Sequence, residues 1–592
     1  MKRAFPALLL LCSVSIAQVT PGAMEEARQF VRAKLLGEAD ARPARPHMMV
    51  YLKRGQLQKD RIGGRLFRIK DREFDRGIVM PSPGEVLVNL PAPGAAFEAF
   101  VGVDSNDLGY YSNQGRGGVE ASVEVRGRQA FRSATMREGL PATPVKIDLA
   151  GAKQFRLKLD AVGEKPRTYQ AEWDQADWAM ARVSLADGRT VWLADLPVGP
   201  LAGPIETGLP FSFRYDGRRS EDLLKGWTLA RNTRRLDAQR IEHTLVYSHP
   251  ESALMVRCVA VEYNDFPAVE WTLHFSNQGQ TRTAVIEDIQ ALATRLERAR
   301  EGEFLLHHNK GSWAEATDYQ PFETPLGPKA EKRLASRGGR GTDGDFAYFN
   351  LAWPGRGVIV AVGWPGQWAA EWKRDEGTRI EIRAGQEQTH FRLLPGEQAR
   401  SPLMALVFWE GDWINGQNVW RRWMVAHNLP RNRGRLHPPQ IADGNGRHTI
   451  EMQDANEANQ IQDLNRHLDA GVAMDYWWMD AGWYPFKQGW WNTGTWEPDP
   501  ARFPHGFKPI SDAAHARSVK TLVWFEPERV TPGSWLDQNH PEWLLKRGND
   551  NRLLDLGNDQ ARTWLTEHVS RLLREQGIDL YRQDFNFEPL KY

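Results

Sequence analysis

The sequence predicts a multidomain protein of the β plus α/β class, with two β-sandwiches followed by the first half of a (β/α)8 TIM barrel. The chain has 592 residues, 41% hydrophobic and 26% charged, which is enough for several packed domains. Residues 55–435 alternate polar and apolar side chains in short runs between Gly, Pro and Asp, as half-buried strands do. From residue 436 onward, strand and helix patterns alternate as they do in parallel βαβ units.

The first 17 residues, MKRAFPALLLLCSVSIA, have the pattern of a cleavable signal peptide. Lys2 and Arg3 precede an apolar run, and Ser15 and Ala17 supply small side chains at the cleavage site. The run is too short to span a bilayer, and the alternative is an ordinary buried N-terminal segment. We therefore expect a secreted or periplasmic protein. Residues 18–54 are predicted to hold a helix, at about Glu25–Leu36, and a linker.

Charge and cysteine content exclude several classes of partner and site. The 76 Lys and Arg residues balance 75 Asp and Glu residues. The chain therefore lacks the large net positive charge that attracts nucleic acid or an anionic membrane. Cleavage would leave Cys258 as the sole cysteine, which excludes an intramolecular disulfide or a cysteine-based zinc site. Low cysteine use favours a bacterial exported protein. A homo-oligomer of the full-length protein remains open.

Residues 55–195 contain about seven short strand patterns, among them LFRI, GEVLVNL, FEAFVGV, GVEASVEV and FRLKL. Seven short strands separated by turns predict a β-sandwich. The segments GAAFEAFVGVDSNDLG, VKIDLAGAKQFRLKLDAVG and WDQADWAMARVSL together resemble an NPCBM-type module. That resemblance implies carbohydrate binding, and a purely structural sandwich is the alternative.

Residues 196–435 continue with longer strand patterns, such as MVRCVAVEY, VEWTLHFSN and RGVIVAVGW, and predict a second, larger sandwich. Two polar stretches, at 307–327 and 334–344, interrupt these patterns. They lack hydrophobic alternation, so we expect long loops, which at this length are usually functional or mobile.

Residues 436–592 alternate between helix and strand. A helical face with Ile461 ends at Gly471, and MDYWWMDAGW follows as a strand. A short helix near Ile510 precedes the buried strand KTLVWFEPE. A longer amphipathic helix ends at Gly577, before the strand LYRQDFN. These 157 residues are fewer than the roughly 250 of a complete barrel, so about half a barrel is expected.

Three successive strands end in polar side chains that a core strand does not need. They are Asp480 and Trp483, then Trp524, Glu526 and Glu528, and finally Arg582, Asp584 and Asn586. Active sites of (β/α)8 barrels form at the carboxyl ends of the strands. Carboxylates that converge there among tryptophans suit acid–base or nucleophilic chemistry on a neutral polyhydroxylated ligand. Helix caps and ion pairs are the alternative interpretation.

Six motifs in this order, WMDAGWYP, WEPDPARFPHGFKPI, LVWFEPERV, HPEWLL, LLDLGNDQAR and YRQDFN, resemble the catalytic barrel of family 36 glycoside hydrolases. The resemblance covers about 475–592 and implies a retaining, exo-acting α-galactosidase (melibiase) that needs no cofactor or metal. It assigns the nucleophile to Asp584. It assigns contacts with the sugar to the other strand-end residues, Asp480, Trp483, Trp524, Arg582 and Asn586.

The sequence departs from the family pattern at several positions. Ala481 replaces the second Asp of the family's D-D-G-W motif, and Arg582 replaces a Lys. Asn549 stands where the family has a recognition Arg, with Arg552 nearby as a substitute. The family's acid/base follows a Gly-rich segment beyond the nucleophile strand, and this chain stops before it. We therefore expect a C-terminally truncated chain that lacks the acid/base.

These departures leave three functional hypotheses open. The first is cleavage of terminal α-galactosyl residues through a covalent glycosyl-enzyme. The second keeps that mechanism but changes the sugar, to that of an α-N-acetylgalactosaminidase or a β-L-arabinopyranosidase. The third is a carbohydrate-binding fragment without catalysis.

Overall fold

The computed structural model describes residues 19–38, 47–52, 57–62, 64–105, 118–162, 175–196, 198, 205–298, 302–444, 452–487 and 489–592. Most of this chain is β-sheet, with helices concentrated after residue 412. The predicted signal peptide, residues 1–17, lies outside the described residues.

The predicted N-terminal helix is present as an α-helix at Pro21–Val31 that continues as a π-helical turn at Arg32–Leu36. The side chain of Thr20 caps its first turn by accepting a backbone N–H. Phe30 is fully buried and stacks on Trp271, with ring centroids 5.8 Å apart. The helix is therefore part of the core of the second sandwich rather than of a linker.

The first sandwich consists of two antiparallel sheets. The strands of the first sheet, in spatial order, are His47–Leu52, Gly84–Asn89, Gln154–Ala161, Val119–Val125 and Arg128–Arg132. Those of the second are Thr143–Asp148, Gly94–Val103, Gln175–Leu185, Gly77–Pro81 and Gln58–Lys59, with Thr190–Trp192 paired to Gln175–Leu185. A hairpin, Phe67–Ile69 and Arg72–Phe74, accompanies them. The edge strand at 47–52 lies in the stretch predicted to be a linker.

The second sandwich combines a four-stranded and a 14-stranded sheet. The strands of the first are Arg218–Arg219, Ser212–Tyr215, Ile286–Gln290 and His390–Phe391. The main path of the second is Thr228–Arg235, Arg240–Ser248, Leu254–Tyr263, Ala268–Asn277, Leu403–Glu410, Arg356–Gly363, Arg340–Trp353, Glu331–Arg337, Trp368–Arg374, Arg379–Gln386 and Leu292–Glu297. Phe304–Lys310, Pro321–Leu326 and Gln398–Arg400 pair beside it. Both halves of this sheet contribute to one core.

The prediction of long loops at 307–327 and 334–344 is wrong over much of their length. The first stretch lies largely in a hairpin of Phe304–Lys310 and Pro321–Leu326, and the second joins Glu331–Arg337 to Arg340–Trp353. Pairing with neighbouring strands satisfies the backbone, while many of the side chains stay in contact with water. The hydrophobic alternation that reveals a half-buried strand is therefore weak here.

The C-terminal part contains four parallel strands: β1 (Ala442–Gly444), β2 (Tyr476–Met479), β3 (Lys520–Phe525) and β4 (Leu580–Gln583). They lie side by side in chain order. The helices Glu457–Asp469, Lys508–Ala516 and Asp559–Gln576 connect successive strands, as the sequence predicts. The described strands form an open sheet, so closure into a barrel stays a prediction.

The remaining elements are short. The connection between β3 and β4 also holds the helix Trp535–Asn539, the 3-10 turn Pro541–Trp543 and a sheet of Arg529–Val530, Arg552–Leu554 and Leu544–Lys546. The helix Trp413–Trp423, its π-helical extension Met424–Asn428 and the hairpin Arg431–Asn432/Arg435–Leu436 lead into β1. Small helical turns occur at Leu193–Asp195, Ser220–Leu223, Leu224–Gly226 and Pro589–Lys591. Within the described part of the chain, no helix has both the length and the apolar character needed to cross a membrane.

Candidate active site

The register of the parallel sheet brings the polar strand ends together. Met479 of β2 pairs with Val523 of β3, and Trp524 of β3 pairs with Arg582 of β4. Asp480 directly follows Met479, and Asp584 directly follows Gln583, which pairs with Phe525, so both acids lie at the same edge of the sheet. The carboxyl edge therefore carries two acids and Arg582, which lies on β4 just before Asp584, as the sequence predicts.

Asp584 is held by donors from two strands and from the tail after β4. Its Oδ2 accepts hydrogen bonds from Trp524 Nε1 at 2.8 Å and Asn586 Nδ2 at 3.0 Å. Arg582 Nη1 lies 2.7 Å from the same oxygen. Oδ1 accepts the backbone N–H of Phe585 at 2.7 Å. The two carboxylate oxygens are thus unequal, because three side chains hold Oδ2 while only a backbone amide holds Oδ1.

These contacts keep Asp584 ionised. Burial raises the pKa of the carboxyl group, but hydrogen bonds from Trp524, Arg582, the Phe585 amide and Asn586 outweigh burial and lower the pKa to about 2. A carboxylate with this pKa carries its negative charge at every pH near neutrality. That is the protonation state a nucleophile requires.

Asp480 faces the same cluster but is less tightly held. Its Oδ1 accepts the backbone N–H of Ala481 at 2.8 Å. Burial raises the pKa of Asp480; the Ala481 amide and the charge of Arg582 oppose this rise, and the charge of Asp584 adds to it. Arg582 therefore acts electrostatically on both acids. Its guanidinium also lies 5.3 Å from the centre of the Trp478 ring.

The structure corrects the expected role of two tryptophans. Trp483 is fully buried and donates its Nε1–H to the backbone carbonyl of Trp524 at 2.9 Å. It therefore supports Trp524 and lies too deep to touch a sugar. Trp524 is 1% exposed, and the rings of Tyr484, Trp490 and Trp496 surround it, so it reaches the site through its Nε1–H rather than through its face. The sequence alone cannot distinguish a tryptophan that contacts a sugar through its ring face from one that only donates its Nε1–H.

Glu526 holds the chain after Asp584 in place. It is fully buried, accepts the backbone N–H of Asn586 and pairs with Arg529. Burial raises the pKa of Glu526, and the charge of Arg529 opposes the rise. Burial also raises the pKa of Glu528. Glu526 thus fixes Asn586 next to Asp584, and Arg529 is a supporting residue that the sequence motifs alone do not reveal.

The substitute for the recognition arginine lies elsewhere. Arg552 is 3.4 Å from Asp537 and donates to the backbone carbonyls of Gly548 and Asp550 in its own loop. The described contacts of Arg552 therefore belong to the connection between β3 and β4 and do not include Asp480 or Asp584.

The hairpin of Glu331–Arg337 and Arg340–Trp353 in the second sandwich reaches the same edge. Arg340 donates to the backbone carbonyl of Phe585 at 3.2 Å and to Asp343 at 2.8 Å, and it lies 3.6 Å from the centre of the Trp313 ring. An open cavity of about 450 Å³ separates the hairpin from Asp584. The lining includes Ser312, Arg340, Asp343, Gln583, Asp584 and Phe585. Sequence reasoning missed Arg340 because it lies 245 residues from Phe585.

Two family models match the chain. Residues 48–184 match the NPCBM/NEW2 domain, and residues 451–589 match Melibiase. The melibiase match contains Asp480, Trp524 and Asp584, so the cluster lies within the part of the chain that carries the family resemblance.

Several curated proteins that are similar to this chain are named as α-galactosidases. Alpha-galactosidase 2 of Pediococcus pentosaceus is 26% identical over 244 residues, which cover 39% of this chain and 32% of that protein. The probable α-galactosidase G of Emericella nidulans is 31% identical over 243 residues, which cover 35% and 30%. The chain thus matches about a third of the length of these relatives.

Solved structures resemble this chain over a larger span. A GH36 α-galactosidase of Geobacillus stearothermophilus, solved with raffinose, has a TM-score of 0.52 and 17% identity, and the match covers 66% of this chain and 56% of that chain. The galactosidase domain of an α-galactosidase–sucrose kinase has a TM-score of 0.53 and 18% identity, with 68% and 58% covered. At these identities the likeness shows the fold, in which β-rich sequence precedes the parallel sheet.

Proposed function

We propose that the cluster around Asp584 is the glycosyl-binding half of an α-galactosidase active site. The observation that carries this proposal is the ionised Asp584, with Oδ2 held by three side chains and Oδ1 by one backbone amide. A retaining glycosidase needs one oxygen of its nucleophile fixed and the other able to reach the anomeric carbon. The melibiase match and the α-galactosidase relatives support a terminal α-galactosyl residue as the sugar.

In this mechanism, Oδ1 of Asp584 forms a bond to the anomeric carbon while the bond to the leaving oxygen breaks. The leaving oxygen takes up a proton, and water later cleaves the glycosyl ester. Trp524, Arg582 and Asn586 hold the attacking carboxylate, and Asp480 accepts hydrogen bonds from hydroxyl groups of the bound sugar. The parallel strands belong to a (β/α)8 barrel in this proposal.

We assign no residue of this chain as the source of that proton. Asp480 accepts the Ala481 amide, and Glu526 pairs with Arg529, so both have structural partners. We assign neither as the acid/base. The nucleophilic step is separable from the acid, because an activated leaving group departs with little protonation.

Ala481 favours a second candidate sugar. Its side chain is 2% exposed and contributes no acceptor where the family motif has a carboxylate. A pentopyranoside without a C6 arm would lose less from this change than a galactoside would. We therefore keep a β-L-arabinopyranoside, together with an α-N-acetylgalactosaminide, as alternative substrates.

The test compares dinitrophenyl glycosides of the three sugars with the wild-type chain and with Asp584→Ala. We expect release of dinitrophenol from the α-galactoside, and Asp584→Ala should lower it by about a thousandfold or more. Faster turnover of the arabinopyranoside would support the second sugar. If calorimetry detects galactose binding but no glycoside is turned over, the chain is a carbohydrate-binding fragment.

We also propose that the protein is exported, on the basis of the N-terminal signal pattern alone. Exported protein from a bacterial host should begin near residue 18, as N-terminal sequencing would show. A retained Met1 would contradict export.

A further inference from the structure

We infer that Trp491 is a stacking platform for the sugar unit attached to the galactosyl residue, a binding site next to the one built around Asp584. This inference rests on the proposed function. It concerns the loop that follows β2 and Asp480, on the edge of the sheet where the candidate site lies.

The loop forms a tight turn with two tryptophans at its tip. The N–H of Asn492 donates to the carbonyl of Gly489 at 3.0 Å, which places Trp490 and Trp491 at the central positions of the turn. Trp490 points inward, with its ring perpendicular to that of Trp524 at 6.0 Å. Trp491 points outward and is 44% exposed.

The outward ring is held in a fixed orientation. Its six-membered ring packs on Gly489, where an added Cβ would lie only 2.7–3.0 Å from three ring atoms. Thr531 Oγ1 donates to the carbonyl of Trp491 at 2.9 Å, and Tyr484 donates to the carbonyl of Trp490. One side of the Trp491 ring is therefore covered by a glycine, while 44% of the residue stays exposed. A ring that is already held in this way loses less conformational freedom on binding than a mobile one.

A series of contacts connects the Trp491 ring to Asp584. Trp524 donates to Asp584, Trp490 packs on Trp524, and Trp491 follows Trp490 at a ring separation of 6.2 Å. A single exposed aromatic side chain is common on protein surfaces. An indole that is fixed by two loops and lies two rings from the nucleophile suits the apolar C–H face of a second sugar.

The test measures binding of galactose and of raffinose, a trisaccharide that extends a terminal α-galactosyl residue, by calorimetry. Trp491→Ala should weaken raffinose binding about tenfold and leave galactose binding unchanged. Trp491→Phe, which keeps a ring, should recover part of the loss. Trp413→Ala is the matched control, because Trp413 is 36% exposed but lies on a helix of the second sandwich.

The outcomes separate the two proposals. If the wild-type chain binds neither sugar, the proposed function fails and this inference fails with it. If galactose binds but raffinose binds no tighter, or if Trp491→Ala leaves raffinose binding unchanged, only the platform is refuted. An equal loss for galactose and raffinose would show that Trp491 maintains the loop rather than contacts a second sugar.

Discussion

At the scale of single residues, the site depends on the unequal surroundings of the two oxygens of Asp584. Three side-chain donors on Oδ2 offset the cost of burial and lower the pKa to about 2. The donors come from β3, β4 and the tail after β4, so the sheet must be assembled before the carboxylate is fixed.

Trp524→Phe keeps an aromatic ring in the core but removes the Nε1–H that Asp584 accepts. We expect covalent labelling by an α-galactosyl fluoride to slow about tenfold, because one donor to a charged group is lost. Trp496→Phe is the matched control, since Trp496 is also buried but its Nε1 has no hydrogen-bond partner among the described residues. Equal rates for both variants would contradict a role for the Trp524 indole N–H.

Arg582→Met should shift the acid limb of the labelling rate to higher pH. The wild-type rate should be flat down to about pH 4 and fall only as pH approaches the pKa of about 2. Without the guanidinium, the effect of burial is less fully offset, so the pKa of Asp584 rises. Arg582→Lys keeps a positive charge and should leave the acid limb at low pH. The ionised carboxylate stabilises the fold above its ordinary pKa, and this stabilisation is lost as pH falls towards 2. If the acid limb of Arg582→Met is unchanged, the charge of Arg582 is not what lowers the pKa of Asp584.

At the scale of elements, the hairpin of Glu331–Arg337 and Arg340–Trp353 braces the chain next to Asp584. Arg340 lies against Trp313, pairs with Asp343 and donates to the carbonyl of Phe585. The hairpin therefore links two domains at the residue that follows Asp584. The stretch 334–344 has no regular hydrophobic period, and for this reason its sequence predicts a loop.

Arg340→Ala should slow labelling of Asp584 about tenfold, because the carbonyl of Phe585 loses a charged donor. Arg337→Ala is the control: Arg337 belongs to the same hairpin and also pairs with Asp343, but its side chain is 63% exposed. Thermal unfolding of both variants checks that the domains stay folded. A rate equal to that of Arg337→Ala would show that the hairpin does not position the site.

The sequence allows much of this architecture to be predicted. Alternating patterns predict most strands of both sandwiches, and Gly471 and Gly577, both with positive φ, mark helix ends as expected. Burial of individual tryptophans cannot be read in the same way, because Trp483 and Trp491 occur in the same Trp-rich stretch yet one is fully buried and the other exposed. Contacts such as that of Arg340 depend on how domains meet, and no local pattern records them.

At the scale of the whole molecule, the first sandwich is inserted within the second. The helix Pro21–Val31 precedes the first sandwich in the chain but packs in the core of the second. Thr20 donates to Glu410 at 2.7 Å, and Arg356 lies 3.3 Å from Glu26, which fixes the helix across this long separation. The two sandwiches have separate cores.

Phe30→Ala and Phe155→Ala should therefore destabilise different domains, each by about 3–5 kcal/mol, because each removes a buried phenylalanine. Phe30→Ala should lower the unfolding transition of the second sandwich, and Phe155→Ala that of the first. Calorimetry of the isolated segment 47–198 identifies the transition of the first sandwich. If Phe30→Ala lowers that transition instead, the helix belongs to the first sandwich.

The most direct measurement is mass spectrometry of the chain after incubation with an α-galactosyl fluoride whose ring fluorine slows hydrolysis of the glycosyl ester. Fluoride leaves without an acid, so the reagent tests the nucleophile by itself. We predict one added glycosyl group, on the peptide that contains Asp584, and no label on Asp584→Ala. A label on another residue, or no label under conditions in which galactose binds, would contradict the assignment of Asp584 as the nucleophile.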